Sequence, residues 1–171
     1  FEVGSLEKMV EVLFSHDKRR IVISENMMQA PGQYYSPYAA ATYIVNVETG
    51  AVNKIIGNDR TWGTTWLNEA GTHLIMVNHF EWFSMHGGGG ACLIRTYDLE
   101  TGELADEHEV IRDESPFDPI MRLEEAAFDP AGGLITIDLE HIESSTYTRW
   151  TEKYIVDDQG RTRNRKFTIL R

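Results

Sequence analysis

An all-β fold is predicted for this chain of 171 residues, as three repeated four-stranded antiparallel units in a single domain. Two observations predict it. Three segments begin alike: "VEVLFSHDKRRIVISENM" from Val10, "GTTWLNEAGTHLIMVNHF" from Gly63 and "LEEAAFDPAGGLITIDLEHI" from Leu123. Each is an apolar run, a polar turn and a second β-rich run, which reads as a hairpin because strand side chains alternate faces at period two. A matching second pattern follows each hairpin: "ATYIVNVETGAVNKIIG", "CLIRTYDLETGELADEHEVI" and "KYIVDDQGRTRNRKFTIL".

Taken in order, the first unit covers approximately residues 7–59, the second 60–119 and the third 120–171. The opening "GSLEKMVEVLF" alternates before Phe14 and is read as strand, with a helical turn as the alternative. The apolar runs stop at Phe14, Leu67 and Phe128, and the next runs start at Ile21, Leu74 and Leu134. The later turns end in Gly50, Gly102 and Gly160, spaced by roughly 52 and 58 residues. Glycine suits such turns because it adopts positive φ without a steric penalty. Internal repetition near this period is a mark of repeat architectures.

The strand rhythm and "YDLETGEL" (Tyr97 to Leu104), with its D-x-x-T-G form, resemble the blades of β-propellers of the WD40-like and TolB-like classes. The Gly-His and Trp-Asp signatures of WD40 blades are absent. The resemblance implies a propeller-like assembly of three blades. They form an open wedge, join a second chain in a six-bladed ring, or belong to a longer protein. A β-sandwich or barrel of hairpins is the alternative architecture.

Composition bounds the function. Hydrophobic residues at 42% and charged residues at 25% describe an ordinary globular protein, and no apolar run is long enough to span a membrane as a helix. The net charge is −11, and the tail "RTRNRKFTILR" holds five of the sixteen basic residues. The first 160 residues therefore set eleven basic against twenty-seven acidic side chains, a net of −16. That surface repels phosphate backbones, so no nucleic-acid partner is expected. The expected partner is another protein, such as an enzyme with a basic surface; a homodimer is the alternative. The single cysteine, Cys92, excludes an internal disulfide and fits either the cytoplasm or a bacterial periplasm. The start at Phe1 leads us to expect a processed or trimmed product from which any targeting peptide has gone.

The second-to-third-strand connections are read as long loops: "MMQAPGQYYSPYAA", "HFEWFSMHGGGG" and "HIESSTYTRW". Long loops on a rigid scaffold are common carriers of function. Tyr34, Tyr35 and Tyr38 fall in the first, Phe80, Trp82, Phe83 and His86 in the second, and Ser144, Ser145, Tyr147 and Trp150 in the third. The aromatics are candidate interface anchors, and the two serines candidate hydrogen-bonding groups. The tetraglycine Gly87–Gly90 is read as a flexible tip: it precedes a strand and has no adjacent lysine, so it is no phosphate loop. Cys92 is read as a small core residue rather than a nucleophile, and His79, His86 and Cys92 match no common zinc spacing.

No cofactor or catalytic residue is expected. "RDESPFDP" (Arg112 to Pro119) offers carboxylates for a cation or a basic partner, and "DLEHIE" (Asp138 to Glu143) offers an acid pair, with solvated turns as the plainer reading. The function expected is a non-enzymatic protein-binding module, such as an inhibitor or bacterial immunity protein, inserting its aromatic loops into a partner's cleft. The alternatives are a glycan-acting hydrolase or lyase, and a half-propeller completed by self-association.

Overall fold

The computed structural model describes the backbone of residues 8–27, 41–56, 61–84, 87–113, 119–143 and 146–170, and the side chains of 12–24, 42–53, 55, 64–78, 92–110, 125–140 and 148–163. Twelve strands occupy these residues. β1 (Lys8–Phe14), β2 (Arg20–Met27), β3 (Ala41–Asn46) and β4 (Val52–Ile56) form the first sheet. β5 (Thr61–Leu67), β6 (His73–Ser84), β7 (Gly87–Asp98) and β8 (Leu104–Asp113) form the second. β9 (Pro119–Asp129), β10 (Leu134–Glu143), β11 (Thr146–Val156) and β12 (Thr162–Leu170) form the third. Each sheet is antiparallel, with its strands side by side in chain order. This is the three-unit all-β architecture that the repeats predict. The sheets remain separate, so the barrel alternative does not hold among the described residues.

The sheets stack face to face with the second in the middle. On β6, Leu74 and Met76 pack with Val22, Ile44 and Ile55 of the first sheet. The intervening Ile75 and Val77 pack with Ile135, Ile137 and Leu139 of the third. The run "LIMV" is thus apolar without a break because both faces of its sheet are covered. Each fully buried aliphatic side chain contributes about 1.5–3 kcal/mol relative to exposure.

The turns repeat as closely as the strands. Asn46, Asp98 and Asp157 each turn a side-chain oxygen back to amides two to four residues ahead, at 2.8–3.1 Å. Gly50, Gly102 and Gly160 then adopt φ of 70°, 72° and 73°. In all three sheets an amide at the end of the third strand also donates to the first turn: Val47 to the Arg19 carbonyl, Leu99 to Thr72 and Val156 to Gly133, at 2.8–3.0 Å. These bonds align the repeats residue by residue. Arg20, His73 and Leu134 are equivalent, as are Val47, Leu99 and Val156.

The equivalent positions also join neighbouring sheets. Arg20 donates through Nε to the Leu99 carbonyl at 3.3 Å and pairs with Glu100, tying the first sheet to a turn of the second. His73 lies against Gly160 in the matching turn of the third sheet, so close that a Cβ there would meet the ring at 2.6 Å. Thr96 donates to the Gly160 carbonyl, and the Thr162 amide donates to Asp106 at 2.7 Å.

Two expectations about connections are corrected. The stretch His79–Ser84 is strand, paired residue for residue with Gly87–Cys92, so the tetraglycine lies within β7 and not in a loose tip. The third connection is equally short: β10 runs to Glu143 and β11 resumes at Thr146, opposite it. The physical reason is pairing. A glycine run has weak strand preference of its own, but here it completes the ladder of an aromatic-rich neighbour. The first connection, residues 28–40, lies outside the described residues.

Candidate interaction surface

Among the described residues, the first and third sheets each have one face that no other sheet covers, and the two faces differ in chemistry. On the first sheet, ladder pairing sets Phe14, Ile21, Val45 and Val52 in one row across all four strands. Val12, Ile23 and Tyr43 form the next row, which ends at Lys54 on β4. Phe14 is 60% and Val52 56% exposed. An apolar side chain standing alone on a surface is ordinary, but two contiguous apolar rows are a patch.

The repeat shows what this face is built for. Val47 is 51% exposed, whereas its equivalents Leu99 and Val156 are 3% and 6% exposed. Leu99 is buried in the core shared with the first sheet, and Val156 in the core shared with the second. Ile21 likewise corresponds to Leu74 and Ile135, both fully buried against the preceding sheet. The first sheet thus carries the apolar residues that pack a sheet onto its predecessor.

The third sheet's uncovered face is polar. Thr136 and Asp138 on β10 replace the apolar Ile75 and Val77 that β6 uses at equivalent positions, and Glu140 follows them on the same face. Arg149 binds the Glu140 carboxylate through Nε and a terminal nitrogen at 3.0 and 2.9 Å, and Thr151 donates to Asp138 at 2.6 Å. Lys153 and Arg163 are exposed on the neighbouring strands. The acids Asp138 and Glu140 of this face are satisfied by Thr151 and Arg149.

Chemically reactive side chains are enclosed in the core. Burial, and secondarily the nearby Glu152 carboxylate, pushes the Cys92 thiol up to about 12, which keeps it protonated and unreactive. Glu152 is itself buried, accepting from Tyr154 and from the Trp150 indole, the latter at 3.1 Å. A carboxylate bound in this way fixes the neighbouring rings. Among the described residues, no group of three His, Cys, Asp or Glu side chains is placed to hold a metal. Among the described residues, no helix is long and apolar enough to cross a membrane.

The residues predicted to bind fall as follows. Tyr34, Tyr35, Tyr38, His86, Ser144 and Ser145 lie outside the described residues. Phe80, Trp82 and Phe83 lie on β6, with Trp82 opposite Gly89 and Phe83 opposite Gly88. Tyr147 lies on β11 opposite Ile142. Trp150 also lies on β11, opposite Leu139, and packs half-buried against the core. The apolar rows of the first sheet were missed in sequence, because a strand apolar on both faces reads like any buried strand. Only alignment of Val47 with Leu99 and Val156 marks the face as uncovered. Compared with family models, curated proteins and solved structures, the chain matches none.

Proposed function

We propose that this chain is a non-catalytic protein-binding module that docks through the uncovered face of its first sheet. The three sheets act as consecutive propeller-like blades, and the partner takes the place of the blade before the first. The observation that carries this reading is the exposure of Val47 at 51%, against 3% for its repeat equivalent Leu99. Interface cores favour such contiguous apolar surface ringed by polar groups, and the exposed Arg19–Glu48 ion pair, at 3.3 Å, lies in the adjacent turns. The inhibitor or immunity role belongs to this proposal as its narrower form, with the acidic surface steering a basic partner.

A second reading keeps the aromatic end of the β6–β7 hairpin as the docking element. It is favoured by the ladder: the pairs from Glu81–Gly90 to Ser84–Gly87 run past the last residue of β5 paired to β6, Thr61 opposite Phe80. Affinity capture from host extract, with wild type beside Phe14→Asp and Trp82→Ala variants of unchanged circular dichroism, separates the two. Loss of a stoichiometric partner with Phe14→Asp alone supports the sheet face. Loss with Trp82→Ala alone transfers the site to the hairpin. Retention in both variants overturns both placements.

A further inference from the structure

We infer that the occupant of the uncovered apolar face is the same face of a second copy of this chain, packed about a two-fold axis. This rests on the docking reading above, with a second copy of the chain in place of a basic partner.

Among the described residues two sheet faces are left uncovered by another sheet, and their chemistry decides which contacts are open to a second copy. Head-to-tail packing would set the apolar rows of one copy against Asp138, Glu140, Arg149 and Lys153 of the next. The exposed Lys153 would lose water and gain only Phe14, Ile21 or Val45 in return. Burying a charge without a partner costs several kcal/mol, far more than apolar contact there would return. Polar face against polar face would bring the same ion pairs together and bury little apolar surface beyond Ile155. Only the apolar face against itself matches like with like. Two of its rows hold Val12, Phe14, Ile21, Ile23, Tyr43, Val45 and Val52; charged residues occupy only its margins, Lys54 at the end of a row on the edge strand β4, and Glu25 and Lys8 at the register positions beyond those rows.

A two-fold contact is self-complementary and closes after two copies. The product is a stack of six sheets, with the charged face of a third sheet at each end. No apolar sheet face then remains, so assembly stops without forming a filament. This arrangement differs from the ring expected of a half-propeller, which needs the first sheet to meet the partner's third.

Area sets the strength. The four strands of the first sheet contain 7, 8, 6 and 5 residues. At ~3.4 Å per residue and ~4.8 Å between strands, the face covers roughly 400 Å². Two such faces fall below the roughly 1,200 Å² of a standard stable interface. The dimer is therefore weak and reversible, and the net charge of −11 makes it tighter as salt screens the repulsion.

Sedimentation equilibrium of the whole chain tests this, from about 1 to 500 micromolar at low and high salt. The mass is expected to rise with concentration from 19.5 kDa toward twice that value, more steeply at high salt. Phe14→Asp and Val52→Asp, both at exposed positions, should hold the monomer mass with unchanged circular dichroism. A Phe14→Cys variant should cross-link to itself with a short bis-maleimide, while Lys153→Cys should not. Association that survives Phe14→Asp, or cross-linking through Lys153→Cys, overturns the face-to-face arrangement. A wild type monomeric throughout, whose apolar face binds a hydrophobic dye that Phe14→Asp no longer binds, overturns the second copy but leaves docking of another protein standing. A monomer with no such dye binding overturns both.

Discussion

Gly50 and Gly133 both sit in turns at positive φ, 70° and 58°, yet they answer to different constraints. At Gly50 an added Cβ meets nothing within 4 Å, so Gly50→Ala faces only the left-handed backbone penalty, about 1 kcal/mol. At Gly133 the added Cβ would lie 2.5 Å from the Val156 carbonyl oxygen, a backbone atom that cannot swing away. That residue also donates its amide to Gly133 across the turn at 2.8 Å. Gly133→Ala should therefore cost about 3 kcal/mol or more, combining strain with a disrupted sheet. Denaturant midpoints of the two variants check this, and equal losses would refute the close-approach argument. The turn glycines at 50, 102 and 160 were legible in sequence, since positive φ selects the residue type directly. The demand on Gly133 was not, because its cause lies twenty-three residues downstream. Cys92 was legible as a core residue from its place at the start of an apolar run. With its thiol pushed up to about 12 inside the core, it should react with a disulfide reagent only as fast as the protein opens. Fast labelling of the native protein would contradict its burial.

At the scale of the element, the turns carry a pH dependence whose sign can be worked out. Asp98 is pulled up by partial burial, but the amide and hydroxyl of Thr101, the Glu100 amide and nearby His73 together outweigh this and hold its carboxyl below the usual range. The Arg161 amide leads the same effect at Asp157, and the Arg19 amide at Asp17. A carboxyl lowered in the folded state stabilises fully above its unfolded pKa of about 4, and that contribution is lost as pH falls through the folded value. Folding stability should accordingly fall below about pH 4. The first repeat supplies a natural control, since Asn46 makes the same turn with an uncharged oxygen. Asp98→Asn combined with Asp157→Asn should keep the turns and flatten the acid limb, measured as urea midpoint between pH 2 and 7. An unchanged acid limb would show that other carboxylates set it. The elements themselves were legible wherever period-two alternation met a turn signal. The tetraglycine was not, because glycine shows no alternation, and its pairing partner Glu81–Ser84 is what makes it strand.

For the whole molecule, the stack is a short series of nearest-neighbour contacts, and such series unfold from their weakest joint. Among the described residues, the first joint buries Val22, Ile44, Ile55, Leu74, Met76 and Leu99. The second buries ten residues, among them Tyr154 and Leu139. The smaller joint predicts that the first sheet opens before the other two. Arg20 stiffens it: the side chain is buried, and it holds the Leu99 carbonyl and Glu100 of the second sheet at once. Arg20→Met keeps the aliphatic stem and removes both bonds, leaving a carbonyl without its donor. It should lower the opening free energy of the first sheet by about 2 kcal/mol. Amide hydrogen exchange resolved by segment reads this directly. Exchange in β2 and β3 should be faster than in β6 and β10 in the wild type, and faster still in the variant, with β10 unaffected. Uniform acceleration across all three sheets would mean that the stack opens as one unit. The same measurement bears on the two-fold contact. If a second copy covers the first sheet, raising protein concentration should slow exchange in β1 to β4 and leave the third sheet unchanged, so the least stable part of the monomer is the part that association protects.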